Sequence, residues 1–113
     1  MERLNELDLA ILHRVANKAS FLTDHIAFLK VRDRVVTGIG MYVNFVYSGD
    51  WESLKGIDPP NDLLTTNERI EIPNLKYGLG YVVDITEGRI NFIEFITYGE
   101  EWDGSVPNFH FIS

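Results

Sequence analysis

The chain contains no cysteine. Disulfides, thiolate nucleophiles and cysteine-based metal sites are therefore excluded, and a reducing cytoplasm is the compartment such usage fits. Nor does it contain an apolar run near the roughly 20 residues needed to cross a bilayer as a helix. The most apolar piece, Val35 to Tyr47, is interrupted by Gly38, Gly40 and Asn44. The opening MERLNELDLA carries early acidic residues and does not read as a signal peptide. Basic residues are scarce, with 10 Lys and Arg against 17 Asp and Glu, a formal net charge of -7. The deficit is uneven: residues 1–36 hold six basic and five acidic residues, whereas residues 37–113 hold four and twelve. Such a surface repels phosphate backbones and anionic lipid, so neither nucleic acid nor membrane is the expected partner. A basic protein is compatible with it, although the same charge also serves solubility alone.

What is present suits one folded unit. A length of 113 residues and a hydrophobic fraction of 45% support a single domain, 1–113, with a core of its own. Residues 4–19 place Leu4, Leu7, Ile11 and Val15 at helical spacing, with Leu12 widening the stripe. Asn5, Asp8, Arg14 and Lys18 are expected on the solvent side. The stretch SFLTDHIAFL, residues 20–29, extends this helix or forms a second short one after Ser20 or Thr23. From Leu29 the sequence alternates through Val31, Asp33 and Val35, which predicts a strand over 28–36 with Lys30, Arg32 and Arg34 on its other face. Ile39, Met41, Val43, Phe45 and Tyr47 share one face of the clearest strand.

Residues 48–67 read as a loop, with Pro59 and Pro60 excluding a regular helix or central strand and Trp51 and Leu54 as anchors. Three more strands follow: one near Ile70 and Ile72, then a hairpin over 79–97 whose tight connection puts Gly88 at positive φ. In its second arm Ile90 and Phe92 are assigned to one face and Ile93 and Phe95 to the other, which predicts a central strand partly covered on both sides. The tail around 109–112 adds a short edge strand. The expected fold is α+β, an N-terminal helix packed on an antiparallel sheet of four to six strands.

Chemistry is sparse. His13, His25 and His110 lack the spacing of a metal motif and read as surface or half-buried side chains. The glycine pairs at 37–40 and 78–80 lack the remainder of a phosphate loop, and no serine sits in a nucleophile elbow. No catalytic residue, cofactor or metal is assigned. The densest polar segment is TYGEEWDG at 97–104, which offers Tyr98, Glu100, Glu101, Trp102 and Asp103 as ligand or partner contacts, with Trp51 as a further candidate. Paired carboxylates act as acid and base when their environments split their pKa values, and they also hold hard cations. A charged turn after a strand is equally an ordinary folding feature. Aromatic residues alternate with acids in the strands, not with bases, which argues against an RNA-reading platform.

The segments RVVTGIGMYVNF, LKYGLGYVVDITEGRINFIEF and YGEEWDG, taken in order after the amphipathic start, resemble a family of short, stand-alone, uncharacterised bacterial proteins. The resemblance covers roughly residues 28–104 and rests on Thr37, Gly38, Gly40, Gly78, Tyr98, Gly99, Glu100 and Trp102. It implies no established activity. Small acidic proteins of this general kind include immunity proteins that neutralise toxins by protein–protein contact. Three expectations follow: a binding protein of immunity type with a basic protein partner, a small carboxylate-dependent enzyme using the 98–103 turn, or a homodimer or larger homo-oligomer joined through an edge strand.

Overall fold

A computed structural model describes residues 1–113. Helix α1 (Glu6–Val15) starts where Asn5 caps it: the Asn5 side chain accepts from the Asp8 amide at 2.8 Å, and the Asp8 carboxylate accepts from the Asn5 amide at 2.9 Å. This reciprocal cap satisfies two amides that the first turn leaves unpaired. Leu7, Ile11, Leu12 and Val15 are buried, as the spacing predicts. The helix ends earlier than expected, passing at Ala16–Lys18 into a 3-10 turn, and the second short helix, α2 (Leu22–Ile26), is separate.

The α+β expectation holds. All seven strands pair antiparallel: β1 (Leu29–Val36), β2 (Gly40–Tyr47), β3 (Asp62–Leu64), β4 (Arg69–Glu71), β5 (Leu79–Thr86), β6 (Arg89–Thr97) and β7 (His110–Ile112). Their order is β1-β2-β6-β5-β4-β7, with β3 also pairing β5. The additional strand is β3, inside the segment expected to be loop. The 79–97 hairpin forms with Glu87 and Gly88 both at positive φ, 52° and 75°, as a two-residue connection requires. The loop before β3 is tied down by Ile57, 2% exposed, whose amide donates to the Gly88 carbonyl at 2.9 Å. Ile57 is thus a firmer anchor than Trp51 or Leu54, which are only half-buried.

One core of 24 buried residues lies between the helices and one face of the sheet. Each fully buried Leu or Ile in it contributes roughly 1.5–3 kcal/mol. Two bulges decide what reaches this core. In β1 the pairing steps from Val31–Phe45 to Asp33–Asn44, leaving Arg32 as the extra residue. Side chains beyond it swap faces, so Arg34 turns inward while Asp33 and Val35 turn outward, contrary to simple alternation. In β6 the pairing steps from Asp84–Phe92 to Ile85–Ile90. Ile90 therefore joins Ile93 and Phe95 in the core, and Phe92 lies opposite with Glu94 and Ile96. β6 is central, but only one of its faces is covered.

The inward turn of Arg34 meets Asp8, which is wholly buried instead of solvent-facing. The guanidinium donates to both Asp8 oxygens, at 3.2 and 2.7 Å, and to Glu2 at 3.1 Å. Burial opposes the Arg34 charge, but its hydrogen bonds to Asp8 and Glu2 and their negative charge outweigh that cost and raise its pKa. Asp8→Ala strands a half-buried guanidinium and removes the carboxylate half of the capping box, so it is expected to lower unfolding stability by about 3 kcal/mol. Glu2→Ala, on the exposed side of the same guanidinium, is expected to cost less than about 1 kcal/mol. Urea unfolding of the two variants measures both, and equal losses would rule out the buried pair as the tie between helix and sheet.

Candidate functional site

The 98–103 turn follows β6 and is clamped to the β1–β2 connection. The Trp102 amide donates to the Gly38 carbonyl at 2.9 Å, and the Thr97 amide donates to the Ile39 carbonyl at 3.0 Å. Trp102 is 5% exposed, packs edge-on against Phe95 at 6.1 Å, and donates its indole N–H to the Ser105 carbonyl at 3.0 Å. Gly104 closes the turn at φ 87°, and a Cβ there would come within 2.9 Å of Val36 Cγ2. Trp102 is thereby chiefly a wedge in the core, with 5% of its surface left exposed.

Two of the three carboxylates in the turn are also occupied. Glu100 accepts from the backbone amides of Lys76 and Tyr77, each at 2.9 Å. The amide bonds to Tyr77 and Lys76 hold its carboxyl below the usual range. Asp103 accepts from the hydroxyl and the amide of Ser105, at 2.7 and 2.9 Å, and these likewise lower its pKa. Glu101 and Tyr98 remain exposed. A cleft of about 570 Å³ runs along the turn, lined by Gly38, Ile39, Asn74, Glu101, Trp102 and Asp103. Acid–base catalysis by two carboxylates needs environments that push their pKa values apart. Here Glu100 and Asp103 are pushed the same way, both downward, so the pair lacks the split that acid–base catalysis needs.

Trp51 lies elsewhere, beside a buried polar chain. Its ring is 5.6 Å from Tyr47, and the Arg89 guanidinium sits 4.3 Å from its centroid. Tyr47 in turn meets His25, which is 2% exposed instead of surface or half-buried. His25 Nε2 lies 2.8 Å from the Lys55 carbonyl, which can only accept, so that nitrogen carries the proton. His25 Nδ1 then accepts from the Tyr47 hydroxyl at 2.9 Å, while that hydroxyl accepts from the Ile90 amide at 2.7 Å. Every member is satisfied, and the chain joins α2, β2, β6 and the long loop. His13 and His110 are exposed, with His110 Nε2 2.7 Å from Glu71.

A second group of aromatic and acidic residues, outside the sequence-based candidates, lies on the uncovered sheet face. Tyr42 and Phe92 meet there edge-on, with centroids 5.4 Å apart. Glu94 stands directly across from Tyr42, and Asp84 directly across from Phe92. Glu94 raises the Tyr42 phenol pKa, through hydrogen bonding first and charge second. Ile96 is 42% exposed between Gly40 and Gly80 on the neighbouring strands. The signal for this surface was the alternation of aromatics with acids and the apolar residues on both sides of β6. No protein-family model matches the chain, and comparison with curated proteins and with solved structures finds no significant match.

Two pH dependences follow. The Glu100 carboxyl has a lowered folded pKa, so its contribution is fully present above its ordinary value of 4.5 and is lost as pH falls through the folded value. Glu100→Gln is expected to flatten the fall in unfolding midpoint below pH 4.5, measured by thermal melts in acid; an unchanged acid profile would count against the amide contacts. Burial pushes the Tyr47 phenol up to about 12, opposed by the Ile90 amide. Its contribution is therefore complete below roughly pH 10 and is lost as pH rises toward the folded value. Tyr47→Phe is expected to cost about 1–3 kcal/mol at neutral pH, because it strips partners from His25 and Ile90, and to soften the alkaline decline.

Proposed function

We propose that this chain is a small acidic binding protein that holds a basic protein partner by surface contact, in the manner of an immunity protein on its toxin. The observation that carries this reading is the uncovered sheet face, where Asp33, Asp84 and Glu94 stand among Tyr42, Phe92 and Ile96. Apolar and aromatic side chains supply contact area, and carboxylates supply sign. The same face repels nucleic acid, because stacking rings are useful there only beside positive charge. The occupied carboxylates of the 98–103 turn leave catalysis the weaker reading. A cytoplasmic bacterial setting belongs to this proposal and agrees with the absence of cysteine and with the family resemblance.

Self-association is a second reading with its own observation. β1 is an edge strand, its outer half beyond the bulge is uncovered, and Val35 and Val36 there are exposed. Edge strands of this kind pair with other chains unless something blocks them. Sedimentation at high micromolar concentration separates the readings, since a dimer supports pairing and a monomer opposes it.

The charge-based reading predicts a measurable salt response. The full chain, titrated with an end-blocked arginine–leucine peptide, is expected to bind at 50 mM salt and to lose most of that affinity at 500 mM, because screening shortens the reach of exposed charges. A glutamate–leucine peptide of equal length is expected not to bind. Equal binding of both peptides, or of neither, would contradict an acidic contact surface.

A further inference from the structure

We infer that the contact surface is centred on Tyr42, Phe92 and Glu94, and that its occupant is a protein segment presenting arginine from an apolar setting. This rests on the binding reading above and gives it a place and a chemistry. The sheet register sets out the surface as a grid. One row runs Tyr42–Glu94–Val82 across β2, β6 and β5, and the next runs Asn44–Phe92–Asp84. The two aromatic rings and the two carboxylates therefore occupy parallel diagonals of neighbouring cells, within the span that long side chains bridge.

The carboxylates are unequal in an informative way. Asp33, farther along the face, already has Arg32 at 3.4 Å and the Asn44 amide at 2.7 Å. Asp84 accepts only from neutral donors, Thr86 at 2.6 Å and Asn91 at 3.1 Å. Neither Asp84 nor Glu94 forms an ion pair. Two negative charges without a cation thus flank a half-buried aromatic pair. A guanidinium fits this arrangement better than an ammonium: it stacks on a ring with its flat face and donates in its plane to carboxylates.

The row above explains why the partner is also apolar. Ile96 lies between two glycines, Gly40 and Gly80, so no side chain flanks it along that row. The Tyr98 hydroxyl reaches toward Gly80, where a Cβ would stand 3.0 Å from it. The result is an isoleucine side chain that stands proud of its glycine neighbours beside the charged grid. A second copy of this chain is the poorer occupant, because a two-fold contact through this face would bring the Asp84 and Glu94 carboxylates of both copies together.

The test is a backbone amide NMR titration of the full chain with an end-blocked Arg-Leu-Arg-Leu-Arg peptide, run beside its lysine counterpart. Shifts are expected at residues 40–44, 80–84 and 92–96, with the lysine peptide binding roughly threefold to tenfold more weakly. Glu94→Gln is expected to weaken the arginine peptide by a similar factor, and Ile96→Lys to abolish the shifts, with thermal melts confirming that both variants remain folded. Glu101→Gln, in the 98–103 turn, is expected to change nothing. Shifts confined to 98–103, or shifts spread over all acidic segments and indifferent to Glu94→Gln, would overturn this placement and leave the binding reading standing. No salt-sensitive shift with either basic peptide would overturn both.

Discussion

The ion pair between Asp8 and Arg34 fixes which way the outer half of the first strand faces and ties the first helix to the sheet edge. Without the bulge at Arg32, strict alternation would carry Asp33 and Val35 toward the helices and Arg34 toward solvent. With it, Arg34 reaches a carboxylate that is already committed to capping α1. Burying two charges is costly, and an apolar pair of similar volume would stabilise the fold about as well. What the ion pair contributes is discrimination. A one-residue slip of β1 would leave Asp8 buried without its cation, a penalty of about 3–5 kcal/mol that an apolar pair would not impose. The outward turn of Val35 onto the open face is therefore a consequence of a contact made on the other side of the sheet.

Much of this fold was legible from periodicity. The apolar stripe of α1, the β2 alternation and the 79–97 hairpin follow from spacing alone, because each is a local pattern repeated over eight or more residues. The failures share a cause. Bulges insert one residue and reverse parity, and nothing in KVRDRVV or RINFIEF marks which residue is extra. The inward Arg34 and the outward Phe92 are both products of that reversal. Asp8 misled for a related reason: a carboxylate on a helix reads as solvent-facing until its buried partner arrives from 26 positions away. β3 was hidden because three residues beside Pro59 and Pro60 carry no periodicity.

The polar concentration of the 98–103 turn was legible in the sequence; which of its side chains the backbone engages was not. The 98–103 turn does concentrate polar groups, and it lines a cleft. Its carboxylates, however, stand beside unpaired backbone amides, and a carboxylate that accepts two amide bonds is held ionised and in place. Glu100 closes the β4–β5 connection onto the end of β6 in this way. Acidic residues in a short turn compete first for such local donors. Only the remainder, here Glu101, is free for anything outside the chain.

That distinction applies to the whole acidic half of the protein. Negative charge in excess does not define a binding surface, because internal donors and cations absorb part of it. Asp8 is taken by Arg34, Glu71 faces His110, Glu68 lies 3.3 Å from Arg14, and Glu100 and Asp103 are taken by backbone and serine. Glu94 and Asp84 differ, since they stand among half-buried rings on the open face and have no cation. A sheet with one face packed and the other open usually alternates apolar with polar residues, so that the open face is wetted. Here β6 places Phe92 and Ile96 on the open side, against that pattern, and the sole charge between them is negative. The departure from ordinary amphipathic patterning and the uncompensated charge coincide on one strand, and their coincidence separates this surface from the acidity that surrounds it.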